Sequence, residues 1–477
     1  MSRTPSFVLS LTPVCLLIAL LALNVYIFGD NAIGGANQLT MLFVSAVATV
    51  FALRIGIRWK DLHAGMIKSI AVAMPAILIL LMVGALSGTW LLGGVVPAMI
   101  YYGLYILDPN IFLLAACVIS IVVSVATGSS WTASATVGVA LMGIGIALGF
   151  NPAMTAGAIL SGAYFGDKMS PLSDTTNLAA AVSGADLFTH IRYMFITTGP
   201  SIVIALVVFA FMGIGDYEQK TGTREIQDAL AATFNINGFL LIAPLSVIVM
   251  IVKRVPALPA LFVGSLLGAL LALTFQSPLV ESLGQEAGYQ KLTSYAVILT
   301  AFYGETSITT GSAVVDELLS SGGMAGMLNT IWLILCAMIF GGVMEASGFL
   351  RRITSAIVLK ARTQGQLFSA TVGTCIFTNV SASDQYLSII VPGQMYREAY
   401  KDRGLEPQNL SRTLEDSGTV TSVLVPWNTC GAFHAGVLGV ATLSYAPFAV
   451  FCFISPIMTL LFAFSGYKIA KTGAVVE

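Results

Sequence analysis

Apolar runs of roughly 20 residues, enough to cross the about 30 Å of hydrocarbon in a bilayer, recur along this chain. They lie at about 8–28, 38–55, 70–93, 191–213, 238–276, 326–345 and 446–466. Each run predicts a membrane-spanning helix, and the 238–276 run predicts a pair. More spans are expected in the irregular regions between them. The segments 280–294 and 305–325 are too polar or too short to span and read as amphipathic, re-entrant or loop. In the first run Arg3 precedes an apolar core, as in a signal peptide, but that core is too long and lacks a small-residue cleavage site, so it reads as the first retained span.

Composition agrees with this pattern. Of 477 residues, 57% are hydrophobic and 9% charged, against about 25% charged in soluble domains. The fold class expected is an all-α polytopic membrane protein. A net charge of −1 leaves no basic face for nucleic acid. Arg54, Arg58, Lys60 and Lys68 fill the loop after the second run, whereas 29–37 carries no Lys or Arg. By the positive-inside rule, the N-terminus and the 54–68 loop face the cytoplasm of a bacterial inner membrane. Six cysteines stand singly in apolar segments, without CxxC spacing, and His63, His190 and His434 form no paired motif. Free thiols are therefore expected, with no zinc or haem site and no resident cofactor. No nucleophile or paired-carboxylate motif suggests an enzyme.

Two halves of the chain align without a gap at one offset. Pro152 falls on Pro407 (407 − 152 = 255), Pro171 on Pro426, Gly93 on Gly348 and Gly138 on Gly393. Equivalent loops carry opposite basic loads: 54–68 has four basic residues and 309–323 none, while 351–362 has four and 96–107 none. Opposite loads put equivalent loops on opposite sides of the membrane, which predicts two inverted repeats of the kind found in alternating-access transporters. The organisation expected is N-terminal helices (1–69), a first repeat (70–213), a polar linker (214–237), connecting spans (238–324), a second repeat (325–466) and a short tail (467–477).

Each repeat is interrupted twice by polar residues. The first interruption is 127–134, TGSSWTAS, matched by 377–385, FTNVSASDQ. The apolar arms around it look short for a full crossing, so each pair reads as a re-entrant helical hairpin with a polar tip, which points to Ser129, Ser130, Asn379 and Asp384. Small hydroxyl residues also let helices approach closely or bond back to carbonyls, but a lone carboxylate in an apolar setting is a functional candidate. The second interruption is 168–177, KMSPLSDTTN, matched by 423–431, VLVPWNTCG. Proline removes a backbone donor and displaces the carbonyl four residues earlier, so both segments predict Pro-broken helices with free carbonyls. Such carbonyls, together with Ser173, Asp174, Thr175, Asn177, Asn428 and Thr429, supply the hard oxygen ligands a sodium ion needs. The candidates for proton coupling are Asp167, Glu415, Asp416 and His434. Asp167 with Lys168 reads either as an internal ion pair or as an edge pair, and His434 as a titrating group or a hydrogen-bonded packing residue.

The run Gly166 to Asn177, GDKMSPLSDTTN, resembles the signature of the NhaC family of Na+/H+ antiporters, and Pro426 to Gly431, PWNTCG, resembles its second-half match. The resemblance implies membership of the ion-transporter superfamily, in which inverted repeats with re-entrant hairpins form homodimers that work by an elevator motion. Relatives bearing the same motif include malate/lactate exchangers. The superfamily's Ser-Asn-Thr tips are replaced here by Gly128-Ser129-Ser130 and Ser383-Asp384-Gln385, which favours cations over dicarboxylates. The expectation is Na+/H+ exchange, with Na+ at Asp174, Thr175 and Asp384 and a carboxylate that cannot hold cation and proton at once. The rival expectation is a Na+-coupled malate or lactate antiporter, which needs a basic residue near the breaks, such as Lys168 or Arg412.

Overall fold

The computed structural model describes residues 5–214, 223–310, 315–316, 319–358 and 361–472. Part of the predicted linker, 215–222, and the end of the tail, 473–477, lie outside them. The first half comprises α1 (Phe7–Phe28), α2 (Ala36–Arg54), α3 (Trp59–Leu92), α4 (Val95–Ile106), α5 (Pro109–Thr127), α6 (Ser130–Ala147), α7 (Pro152–Met169), α8 (Asp174–Ser183) and α9 (Leu187–Gly213). Then come α10 (Thr223–Thr233), α11 (Ile242–Val252), α12 (Ala257–Phe275), α13 (Ser277–Glu286) and α14 (Thr293–Tyr303). A two-stranded antiparallel pair, β1 (Thr306–Ser307) with β2 (Ser320–Ser321), fills part of the segment that the sequence left unplaced. The second half comprises α15 (Gly323–Ala346), α16 (Phe349–Val358), α17 (Gln364–Ser381), α18 (Gln385–Lys401), α19 (Pro407–Leu414), α20 (Thr429–Leu438) and α21 (Val450–Ser465).

Among the described residues, eight helices are long and apolar enough to cross a membrane, or ten if two bent pairs count as spans. Large apolar side chains such as Leu39, Phe195, Phe211 and Phe464 stay exposed on their outer faces, as lipid contact requires. The chain is thus a mostly helical, multi-pass membrane protein. α3 begins eleven residues before the apolar run at 70 (70 − 59 = 11). Its first turns carry Lys60, Asp61, His63 and Lys68, so this 34-residue helix overshoots the hydrocarbon. The hairpin arms α5 and α6 are 19 and 18 residues long. By length each is enough to span, so they are not short as the sequence suggested.

Helix starts in the second half fall at a constant distance from those in the first: α17 after α5 (364 − 109 = 255), α18 after α6 (385 − 130 = 255), α19 after α7 (407 − 152 = 255) and α20 after α8 (429 − 174 = 255). Local chemistry makes these starts alike. Asn151 caps α7 with Pro152 at its first position, a place where the missing N–H costs nothing, and Pro407 opens α19 in the same way. α5 and α7 lie closely along one another. A Cβ at Gly162 would stand 2.1 Å from the carbonyl oxygen of Cys117, so only glycine permits that approach.

Candidate ion-binding site

The two hairpin tips and the two broken helices meet inside the bundle. At the first tip the chain turns through Gly128 (φ +69°) and restarts as α6, whose N-cap Ser129 accepts from Thr132 N at 3.2 Å. A Cβ on Gly128 would lie 2.7 Å from the backbone of Leu172, so the tip sits directly on the break between α7 and α8. The equivalent turn in the second half is Ser383 (φ +61°; 383 − 128 = 255), a left-handed conformation that is costly for a residue with a Cβ. Its carbonyl accepts from Thr429 N at 2.9 Å, so this tip also sits on a break. The Ser383 hydroxyl is buried and unpartnered. Backbone strain beside an idle polar group marks functional sites, and this one could not be read from the chain because φ is not legible in a sequence.

Four helix N-termini therefore converge, capped by Ser129, Ser173, Asp384 and Asn428. Beside them opens a cavity of about 710 Å³, lined among others by Ser129, Asp167, Asp174, Asp384, Tyr386 and Thr429. Asp384 Oδ1 accepts from Leu387 N at 2.9 Å. Asp167 Oδ2 accepts from Ser130 N at 3.0 Å and Ser130 Oγ at 2.7 Å, while its Oδ1 is buried without a partner. Asp174 lies at the exposed mouth, where the Tyr386 hydroxyl donates to it at 2.5 Å. Ala73, Pro75 and Ala76 of α3 and Arg254, between α11 and α12, also line the wall. Among the described residues no three acidic, His or Cys side chains converge on one point, so a cation here meets separate carboxylates and neutral oxygens.

Other predicted residues serve as supports. Thr175 Oγ1 lies 3.0 Å from Ser173 Oγ, and Asn177 closes the first break by donating to the carbonyls of Pro171 and Ser173 at 3.0 and 2.6 Å. Asn428 Nδ2 donates to Asn379 O and Oδ1, both at 3.1 Å, and Asn379 Nδ2 donates to Gly418 O at 2.7 Å. These bonds lock the second break shut.

The pairing of Asp167 with Lys168 is corrected by the structure. Consecutive residues on a helix point about 100° apart, and here Asp167 turns to the tip while Lys168 is wholly buried against Asp416. Asp416 also accepts from Thr197 and Ser455, each at 2.8 Å, and from Thr459. It sits in the π-helical turn Glu415–Thr419 that follows α19. Glu415, beside it, is fully buried and neither of its oxygens has a hydrogen-bond partner. His434 is not hydrogen-bonded either. Both of its ring nitrogens are unpartnered, and the ring is held among Phe433 and Tyr164 at centroid distances of 5.2 and 5.5 Å. Neither Lys168 nor Arg412 lines the cavity, and Arg254, which does, was not singled out in the sequence because its loop reads as an ordinary short turn.

An apolar bundle around a carboxylate-lined cavity, with four helix ends meeting at its floor, defines a multi-pass membrane protein built to handle a charged solute. The chain belongs to the Na+/H+ antiporter family, whose sequence profile matches residues 162–467. It is 39% identical to the Na+/H+ antiporter NhaC of Alkalihalophilus pseudofirmus over 89% of each chain. It is 38% identical to the malate-2H+/Na+-lactate antiporter of Bacillus subtilis over 89% of this chain and 88% of that one. It is also 36% identical to the arginine/ornithine antiporter ArcD of Halobacterium salinarum over 98% and 93%. These relatives are transporters, and the resemblance to the NhaC family read from the two motifs is borne out.

Proposed function

We propose that this protein exchanges Na+ for H+ across the cytoplasmic membrane by alternating access, with the carboxylate-lined cavity as the cation site. The observation that carries the reading is the placement of Asp167, Asp174 and Asp384 around one cavity, with the idle Oδ1 of Asp167 among buried oxygens. Holding the cation needs ionised carboxylates and disfavours a proton bound in the same low-dielectric interior, so the two ions exclude each other and cross in opposite directions. Asp174 at the mouth acts as the entry ligand. Asp167 and Asp384, both buried, act as the inner ones, with hydroxyls such as Ser129 and Thr429 replacing water.

The same reading treats the two halves as inverted repeats whose polar tips reach the interior, supported by the constant offset of helix starts and the opposite basic loads of equivalent loops. The paired tips and breaks would move together against α3 and α12 as an elevator, and the superfamily resemblance extends this to a homodimer with a cytoplasmic N-terminus.

A second reading, an organic-ion antiporter, is favoured by cavity size. About 710 Å³ falls in the range of small-molecule sites, and Arg254 could receive a carboxylate of malate or lactate. Proteoliposomes loaded with a pH dye separate the two readings when Na+, K+, malate and lactate are added one at a time. Na+ alone should drive proton flux, and Asp384→Asn should abolish it. Flux that requires malate or lactate would overturn Na+/H+ exchange in favour of the second reading.

A further inference from the structure

We propose that the proton travels on Glu415, in a site of its own apart from the cation cavity, an inference that rests on the Na+/H+ exchange reading. Glu415 and Asp416 are adjacent, both fully buried, and their surroundings are opposite. Asp416 accepts from Lys168, Ser455, Thr197 and Thr459, the complement of donors an ionised carboxylate needs when buried. Neither oxygen of Glu415 has a donor at full hydrogen-bond geometry, and the group nearest to serving as one is the neutral hydroxyl of Thr419, one turn on. Its surroundings offer an ionised carboxylate at most one neutral hydroxyl, the ammonium of Lys168 being already bonded to Asp416, and suit a carboxyl that is carrying a proton.

Arg412 completes the device. It is fully buried, its guanidinium lies 4.5 Å over the ring of Tyr193, and all three of its nitrogens are unpartnered. Arginine cannot shed its charge. It stands three residues before Glu415, the spacing at which side chains on one helix face meet. Lys168 is the cation whose charge already reaches Glu415, and in this proposal Arg412, turned off the Tyr193 ring, is the partner that the anion gains when the proton leaves. The protonated, unpaired arrangement and the ionised, Arg412-paired arrangement are two states of one site. Tyr193, under Arg412, reaches Asn409 Oδ1 at 2.6 Å and the carbonyl of exposed Lys468 at 2.7 Å, which gives the site a polar edge toward water.

Coupling to the cavity follows from adjacency. Asp167, a cavity residue, directly precedes Lys168, which is bonded to Asp416, which directly follows Glu415. The other titratable groups packed around this segment are the buried His190 of α9, whose Nδ1 lies 2.7 Å from Ser411 Oγ, Cys375 of α17, Tyr396 and Tyr400 of α18 and Cys452 of α21. A sodium ion at Asp167 and a proton at Glu415 add like charges to one low-dielectric body, so each weakens the binding of the other, reciprocally. Sodium loading expels the proton from Glu415 into the water on that side. After the crossing, sodium leaves and a proton from the water on the far side refills the carboxyl, so one positive charge travels each way. At an offset of 255, the counterparts of Arg412, Glu415 and Asp416 are Gly157, Leu160 and Ser161, and the counterpart of Lys168 is Val423. Each of these charges is absent from its counterpart in the other half, so none is a requirement of the shared architecture.

The test uses ²²Na+/Na+ counterflow, which needs no proton carrier, beside Na+-driven proton flux in the same proteoliposomes. Glu415→Gln should keep counterflow and lose proton flux by on the order of 100-fold, the scale of a removed proton-transfer group. Glu415→Asp should retain part of that flux, and Arg412→Gln should resemble Glu415→Gln. Unchanged proton flux in Glu415→Gln would overturn the proposal. Loss of both activities would overturn it too, since Glu415 would then serve the cation site or the fold. Absence of Na+-driven flux in the unmodified protein would instead sink the exchange reading on which this rests.

Discussion

The two halves build the same corner with different chemistry. Each has a left-handed turn at its hairpin tip, Gly128 or Ser383, seated on the break of a neighbouring helix. The N-caps that follow are Ser129 and Asp384 at the tips, and Ser173 and Asn428 at the breaks. The first residue after the break is Asp174 in one half and Thr429 in the other. One half thus brings its carboxylate on the broken helix and the other on the tip, so one cavity receives acids from opposite walls. Asp174, the first residue after one break, faces water, whereas Asn428 at the other is buried and bonded to Asn379. A shared backbone sets where charge can be placed, and departures from symmetry set what the site does.

The largest effect should come from unpicking the contact that ties the halves together. Lys168→Met leaves Asp416 as an uncompensated buried charge, which typically costs about 3–5 kcal/mol. Thermal unfolding in detergent should show a large drop for this variant, with much of it recovered in Lys168→Met/Asp416→Leu. Equal losses in the single and double variants would mean that the pair is not the link. Next in size is the exchange of acids between equivalent positions. Asp384→Ser should lower Na+-driven proton flux by about 100-fold, the scale of a lost charged contact of about 3 kcal/mol. Adding Ser129→Asp should return a measurable part of that flux, and no gain would show that the tips are not interchangeable. The smallest effect belongs to the tip turn. Ser383→Gly relieves a left-handed residue but frees the unfolded chain, for a net stabilisation under about 1 kcal/mol. It should raise the apparent KM for Na+ through loss of the idle hydroxyl, and an unchanged KM would remove Ser383 from the site.

Much of this arrangement was legible in the chain because polar residues are costly in a bilayer and so cluster where they are used. The TGSSWTAS and KMSPLSDTTN runs marked both interruptions, and the offset of 255 placed their partners. Five of the named candidates, Ser129, Asp167, Asp174, Asp384 and Thr429, do line one cavity. The partner of Lys168 was not legible, since Asp416 is 248 residues away in sequence and no local rule selects it over adjacent Asp167. The roles of Ser383 and Tyr386 were hidden for a related reason, one resting on backbone conformation and the other on a contact to Asp174 across 212 residues. Helix ends were misjudged where charged turns continue an apolar span, as at Trp59–Ser69 of α3.

The most direct test that Na+ in the cavity and the proton exclude one another is proton release from purified protein in weakly buffered detergent when NaCl replaces choline chloride. The account predicts that Na+ binding displaces protons, that the release saturates with Na+, and that Asp384→Asn binds Na+ poorly and releases few. Saturable Na+ binding with no proton release, or equal release from Asp384→Asn, would contradict it.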